Sequence, residues 1–336
     1  MYTPDNSFRY YHYTPPAPPQ EDEKQNLRST ALRIGVLLLT LIATMQLIYP
    51  IIVVVLMAAG ILPKDALTAN MLGVDNTTYL QIYGVVYALA MGLPLLLVAF
   101  GKKKIFPLAP SKPVRLDVAF LGIVGGVGAC MAANIVTSYV LAFLEQFGIT
   151  APEAPKMMLN TPNSYLLNLF IIAVLPAILE EAVFRGCVLR LLRPYGEWFA
   201  IVVSAVVFGL MHGNIRQIPF AIIVGLVLGW LYVITNNIWI PVTVHFINNA
   251  VSVSMEYFGF SLAENAVGTF YTMIILALAF VGIVSAVILL IFCRLHLRMQ
   301  PKTTLLSGAE RFGVLLKAPT FLIAIILYVL LTVLGM

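Results

Sequence analysis

Apolar residues fall into nine runs separated by short polar connections, near 32–61, 79–100, 118–144, 165–184, 197–212, 217–235, 238–257, 268–293 and 318–335. About 20 apolar residues are enough to cross roughly 30 Å of hydrocarbon as helix. The pattern therefore predicts an all-α fold: a polytopic integral membrane helical bundle of about eight or nine transmembrane helices. The fifth and sixth runs are short enough to allow a partly re-entrant path. The obvious breaks are the connections KKKIFPLAPSKP, EAPKMMLNTPN and RLHLRMQPKTTLLSG, and no fixed-period repeat divides the chain, so one membrane domain is expected over 32–336. Gly122 with Gly126 and Gly225 with Gly229 are small residues four apart, a spacing that lets membrane helices approach closely.

Composition supports this reading, with 60% of the 336 residues hydrophobic and only 10% charged, against about 25% charged in an average soluble domain. Residues 1–31 contain YTPPAPPQEDEKQ, which carries too little apolar surface to offset the entropy of ordering, so a disordered tail is expected there. The run that follows is too long for a signal-peptide core and shows no cleavage pattern, so it reads as a retained anchor. Lys and Arg gather in alternate connections: Lys24, Arg28 and Arg33; Lys102, Lys103, Lys104, Lys112 and Arg115; Arg190 and Arg193; then Arg294, Arg298, Lys302, Arg311 and Lys317. That alternation places the N-terminus in the cytoplasm. The net charge of +5 is accounted for by basic residues beside spans, where acidic lipid heads anchor them; no nucleic-acid partner is expected. Cys130, Cys187 and Cys293 lie in or beside apolar spans without CxxC spacing and read as packing residues.

Against this apolar background the ionisable residues inside spans and away from the connections are few: Glu180, Glu181, Arg185, His212 and His245, with Asn248 and Asn249 as neutral companions. Charges at mid-bilayer cost about 2.5–3.5 kcal/mol on insertion scales, so polar groups there usually face the bundle interior and serve ion paths, relays or catalysis. Glu181 precedes Arg185 by four, the favourable order for a same-face ion pair. Glu180 is turned about 100° away on the helix, so it stays available when its neighbour is neutralised. Burial favours the neutral form of a carboxyl group, a property that suits a general base. His245 and Asn249 share one helix face and can present two donors to one point, where a developing oxyanion would be stabilised. Phe208 stands one turn before His212 and reads as a pocket wall. Pro176 and Pro241 each precede one of these residues by four, and a mid-helix proline frees a carbonyl one turn back. A lone intramembrane His or Glu/Arg pair is as often a packing lock as a catalytic group; EExxxR, FxxxH and HxxxN in order on three spans are much harder to explain so. His12 in the tail and His296 among arginines read as solvated.

These motifs resemble those of the CPBP intramembrane proteases, the family of the CAAX prenyl endopeptidases and the Abi bacteriocin-processing and self-immunity proteins. Glu180, Glu181 and Arg185 match EExxxR, Phe208 and His212 match FxxxH, and His245 and Asn249 match HxxxN, over roughly residues 165–255, which would be the catalytic core. The resemblance implies a peptidase in which Glu180 with His212 activates a water, His245 with Asn249 holds the oxyanion, and Arg185 pairs with Glu181. It also implies a choice between a glutamate-dependent enzyme without cofactor and a metal-dependent one, in which Glu180, His212 and His245 would ligate a divalent ion such as zinc and leave a position open for water. The implied partner is a membrane-anchored peptide or protein, in a bacterial plasma membrane; a prenylated substrate is not carried over. There is no HExxH, no GxSG before a histidine, and none of Asp5, Asp22, Asp65, Asp75 and Asp117 lies well inside a span, which disfavours the other intramembrane protease chemistries.

Two other classes also keep ionisable residues in spans. A proton-coupled transporter would carry them in pseudo-symmetric halves, and no second polar cluster lies outside 180–249. A non-catalytic immunity or scaffold protein would bind its partner equally well without Glu180 and His212.

Overall fold

A computed structural model describes residues 19–100, 111–150, 162–259, 262, 264–292 and 304–335. Every described element is helical, and the expected all-α membrane bundle is what forms. In chain order the helices are α1 (Gln20–Ala58), α2 (Asn76–Phe100), α3 (Leu116–Glu145), α4 (Pro162–Tyr195), α5 (Glu197–Met211), α6 (Ile218–Thr235), α7 (Trp239–Gly259), α8 (Glu264–Phe292), α9 (Gly308–Leu316) and α10 (Pro319–Leu334). Lys102 to Lys104, Cys293, Arg294, His296, Arg298 and Lys302 lie outside the described residues, as does His12.

Each of the nine apolar runs falls on helix, though not every run is by itself a full crossing. Six described helices are long and apolar enough to cross a membrane, or seven if α9 and α10, bent by 81°, act as one. Helix α5 has 15 residues, about 22 Å at 1.5 Å per residue, which is short of the hydrocarbon thickness. Helix α7 has the length, at 21 residues, but its His, Asn and Ser residues dilute its apolar character. The two helices that fall short are those that bring the histidines to the interior. Helix α6, with 18 residues, passes as a full span.

The first helix starts earlier than the expected boundary at 32. It begins at Gln20 with Glu21, Asp22 and Glu23 in its first turn, where carboxylates favour the exposed N–H groups. Residues 1–18 of the expected tail lie outside the described residues, and 20–31 are helix. The early start is stitched to the far end of the chain: buried Glu23 accepts from Leu305 N at 2.8 Å and from Thr304 Oγ1 at 2.5 Å.

Two apolar cores lie side by side. One joins α1, α4, α5 and α10 through Leu27, Leu38, Phe184, Val188, Ile201 and Phe321; the other joins α3, α6, α7 and α8 through Met131, Leu228, Leu231, Val244 and Ala279. Cys130 and Cys187 are buried among them as packing residues. Gly225 lies against Ala205, where an added Cβ would come within 2.9 Å of backbone, so α5 and α6 can pack at this distance only without a side chain there. Two other crossings are closer still: a Cβ on Gly35 of α1 would come within 2.2 Å of Phe321 N of α10, and one on Gly128 of α3 within 2.3 Å of the Gly282 Cα of α8. Large side chains such as Phe120, Tyr139, Phe280 and Ile291 face outward, which suits a lipid solvent rather than water.

Candidate active site

Helix α4 carries the first motif, and its backbone is irregular there. It widens into π-helical turns at Leu169–Val174 and Ala182–Leu189, on either side of Leu175–Glu181. Such turns leave carbonyls unpaired and cluster at functional sites. Pro176 has no N–H to offer Ile172 O four residues earlier. That carbonyl accepts instead from Asn249 Nδ2 of α7, at 3.0 Å. The partner for the freed carbonyl is therefore the last residue of the HxxxN motif. Pro241 does not act in the same way: it lies in the first turn of α7, which begins at Trp239, where its missing N–H interrupts nothing.

Glu181 and Arg185 form the expected pair. Arg185 Nη1 donates to Glu181 Oε1 at 2.9 Å with both side chains fully buried, and Nη2 donates to Gly225 O at 3.1 Å. Glu181 has a second partner that spacing alone does not give: His245 Nδ1 stands 2.9 Å from the same Oε1. A carboxylate already paired with Arg185 only accepts, so Nδ1 carries the proton and Nε2 is left for the interior. His212 repeats the arrangement. It caps the end of α5, before Gly213 at φ 58°, and its Nδ1 lies 2.9 Å from Phe208 O. A carbonyl only accepts as well, so His212 too is left with Nε2.

Glu180 stands apart from the ion pair, as its rotation on the helix predicts. Its Oε1 accepts from Tyr87 OH of α2 at 2.5 Å. Its Oε2 is buried with no hydrogen-bond partner among the described residues and lies 3.8 Å from His245 Nε2. Phe208 connects the three motifs: its ring lies 4.7 Å from the Arg185 guanidinium carbon, 5.1 Å from the His212 ring and 6.0 Å from the His245 ring. Asn248 Nδ2 donates to Asn249 Oδ1 at 3.1 Å, which fixes the carboxamide so that its nitrogen faces α4.

Glu180, Phe208, His212, His245 and Asn249 all line one cavity of about 390 Å³, while Glu181 and Arg185 stand behind it. Tyr83, Tyr87, Asn248 and Ser252 line it too. The two tyrosines were not singled out from sequence, although Tyr79, Tyr83 and Tyr87 repeat every four residues and stack at 6.4 and 6.3 Å. That spacing was the available signal, but in an apolar run it reads as packing.

Glu180, His212 and His245 are the residues that would hold a divalent ion. The protonation of both imidazoles suits ligation, since each Nδ1–H is held by a fixed acceptor. Their spacing does not: among the described residues no group of three or more His, Cys, Asp or Glu stands close enough to hold an ion.

Asn249→Ala removes the partner of Ile172 O. The carbonyl is part-buried and lines the cavity, so leaving it unpaired costs at most about 1–3 kcal/mol and a modestly lower unfolding temperature in detergent is expected; an unchanged melting curve would show that the carbonyl finds another partner.

Two curated proteins share similarity with this chain. One, named "Putative membrane peptidase YdiL", from Bacillus subtilis (strain 168), is 28% identical over 112 residues, which are 33% of this chain and 46% of that protein. The other, named "Membrane-embedded CAAX protease MroQ", from Staphylococcus aureus (strain USA300), is 24% identical over 144 residues, 39% of this chain and 56% of that protein. The chain thus spans about half the length of the curated relatives it matches. No solved structure matches it significantly. The resemblance read from the three motifs is borne out over the stretch that carries them: residues 162–251 match the family described as type II CAAX prenyl endopeptidase Rce1-like.

Proposed function

We propose that this chain is an intramembrane endopeptidase that hydrolyses a peptide bond of a membrane-anchored protein or peptide. One observation carries the reading: Glu180, His212, His245 and Asn249, drawn from three helices, line a single cavity. The family match over 162–251 supports the same reaction class.

In this mechanism Glu180 Oε2, the carboxylate oxygen with no partner among the described residues, takes a proton from the attacking water as general base. His212 Nε2 accepts the water's other hydrogen and aligns it. The oxygen adds to the scissile carbonyl, and the resulting oxyanion is met by Asn249, which has a second amide hydrogen beyond the one given to Ile172 O. His245 donates to the oxyanion once Nε2 is protonated, and Glu180 Oε2, 3.8 Å away, is placed to hand on the proton taken from water. That proton then goes to the amine as the C–N bond breaks, leaving an acid and an amine. Arg185 and Glu181 set the ring of His245 from behind.

The alternation of basic connections supports a cytoplasmic N-terminus; a bacterial plasma membrane is the proposed setting. The test is purified protein against a panel of membrane-anchored peptides, with and without chelator, with Glu180→Ala as blank. Cleavage is expected only with intact Glu180 and is expected to persist in chelator. Loss in chelator with recovery on added zinc would assign an ion to Glu180, His212 and His245.

A further inference from the structure

Tyr87 lies outside the stretch matched by the family and on a helix that carries none of the three motifs. Its hydroxyl nevertheless makes the only protein hydrogen bond to the Glu180 carboxyl group among the described residues. We propose that Tyr87 is the positioning residue for Glu180: it pins Oε1 and thereby aims Oε2 into the cavity. The inference rests on Glu180 being the base.

The geometry supports this in three ways. The last torsion of a glutamate is broad and roughly two-fold, so an unpinned carboxyl group would rotate and present either oxygen, or neither, to the water. With Oε1 held at 2.5 Å by Tyr87, Oε2 is the oxygen left, and it is the one near His245 Nε2. Second, Tyr87 is itself held. Its ring stacks on Tyr83 at 6.3 Å, and α2 is tied to α1 close by, where Thr44 Oγ1 donates to Ala90 O at 2.7 Å. Third, α2 packs closely on α4 beside a residue without a side chain: a Cβ on Gly84, one turn before Tyr87, would come within 2.9 Å of the Ile171 side chain, which would have to shift. With glycine there, α2 comes close enough for the phenol to reach without that shift. A hydroxyl kept only for solubility would not be buried against a carboxylate; here the donor sits where the catalytic oxygen is selected.

The test compares Tyr87→Phe, which removes one oxygen and keeps the ring, with Tyr79→Phe, the same change two turns earlier on α2 at a residue outside the cavity lining. For Tyr87→Phe, kcat on a membrane-anchored peptide cleaved by the wild type is expected to fall between tenfold and a hundredfold with KM within twofold, since loss of alignment acts on the chemical step. Tyr79→Phe is expected to keep both constants. Infrared difference spectra, which need no substrate, should show a carboxyl band that shifts in Tyr87→Phe and shows no shift when the substitution is repeated in Glu180→Gln. An unchanged kcat in Tyr87→Phe, or a band shift that persists without the Glu180 carboxyl, would overturn the proposal. If instead Glu180→Gln cleaves normally, the base assignment itself fails; if Glu180→Gln is inactive while Tyr87→Phe is fully active, only the role of Tyr87 does.

Discussion

Glu180→Gln should abolish nearly all peptide cleavage while leaving the bundle intact. General bases contribute about 10²–10⁴-fold, so a fall of about a thousandfold in kcat is expected. Gln is nearly isosteric, and its carbonyl oxygen can still accept from Tyr87 OH, the bond Glu180 Oε1 accepts now. Packing at the site should therefore be preserved, and the melting temperature in detergent should match the wild type. The variant loses only the ability of the second oxygen to take a proton. Cleavage of the same peptide at more than a tenth of the wild-type rate by folded Glu180→Gln would remove the residue from the mechanism. A matching fall in Glu181→Gln would show instead that the two neighbouring carboxyl groups have not divided their work.

The largest effect on stability is expected at Arg185. This side chain is fully buried, as is Glu181, and it holds Glu181, Gly225 O and the face of Phe208 together. Arg185→Met fills most of the volume but leaves the Glu181 carboxylate without its guanidinium. Breaking one partner of a buried pair costs about 3–5 kcal/mol, because the remaining charge has no solvent to turn to. A sharply reduced folded yield and an earlier thermal transition are expected. The double variant Glu181→Gln with Arg185→Met removes both charges, and the carboxamide oxygen introduced by the first substitution can still accept from His245 Nδ1. Most of the lost stability should return. If the double variant is as unstable as the single one, the cost lies in the lost bond to Gly225 O and the lost stacking on Phe208, not in the unpaired charge.

The Glu181–Arg185 pair was legible from spacing because it lies within one helix, where separation by four residues fixes a shared face. The same argument set Glu180 apart from the pair. What spacing could not give is any contact between helices. Nothing in HFINN says that the His245 ring turns one nitrogen to Glu181 and the other towards Glu180. Tyr87 was invisible for a related reason, since a tyrosine in an apolar run has the same pattern whether its hydroxyl meets lipid heads or a buried carboxylate such as Glu180. Pro176 was half legible: the freed carbonyl at Ile172 follows from the ring, but its partner Asn249 follows only from the packing of α7 on α4. The number of full crossings was legible only approximately, because an apolar run does not distinguish a membrane crossing from a short helix such as α5, which other helices cover and which carries His212 at its end.

The bond between Asn249 and Ile172 O joins residues 77 positions apart, and that between His245 and Glu181 joins residues 64 apart. During synthesis, then, α4 is made before either partner, with the Ile172 carbonyl unanswered, whereas Glu180 can already meet Tyr87 of the earlier α2 and Glu181 travels with Arg185. The insertion machinery therefore has to shelter an unfinished segment until α7 emerges. A nascent chain stalled short of that point would present quality-control proteases with an incomplete bundle in which no reaction centre has yet assembled.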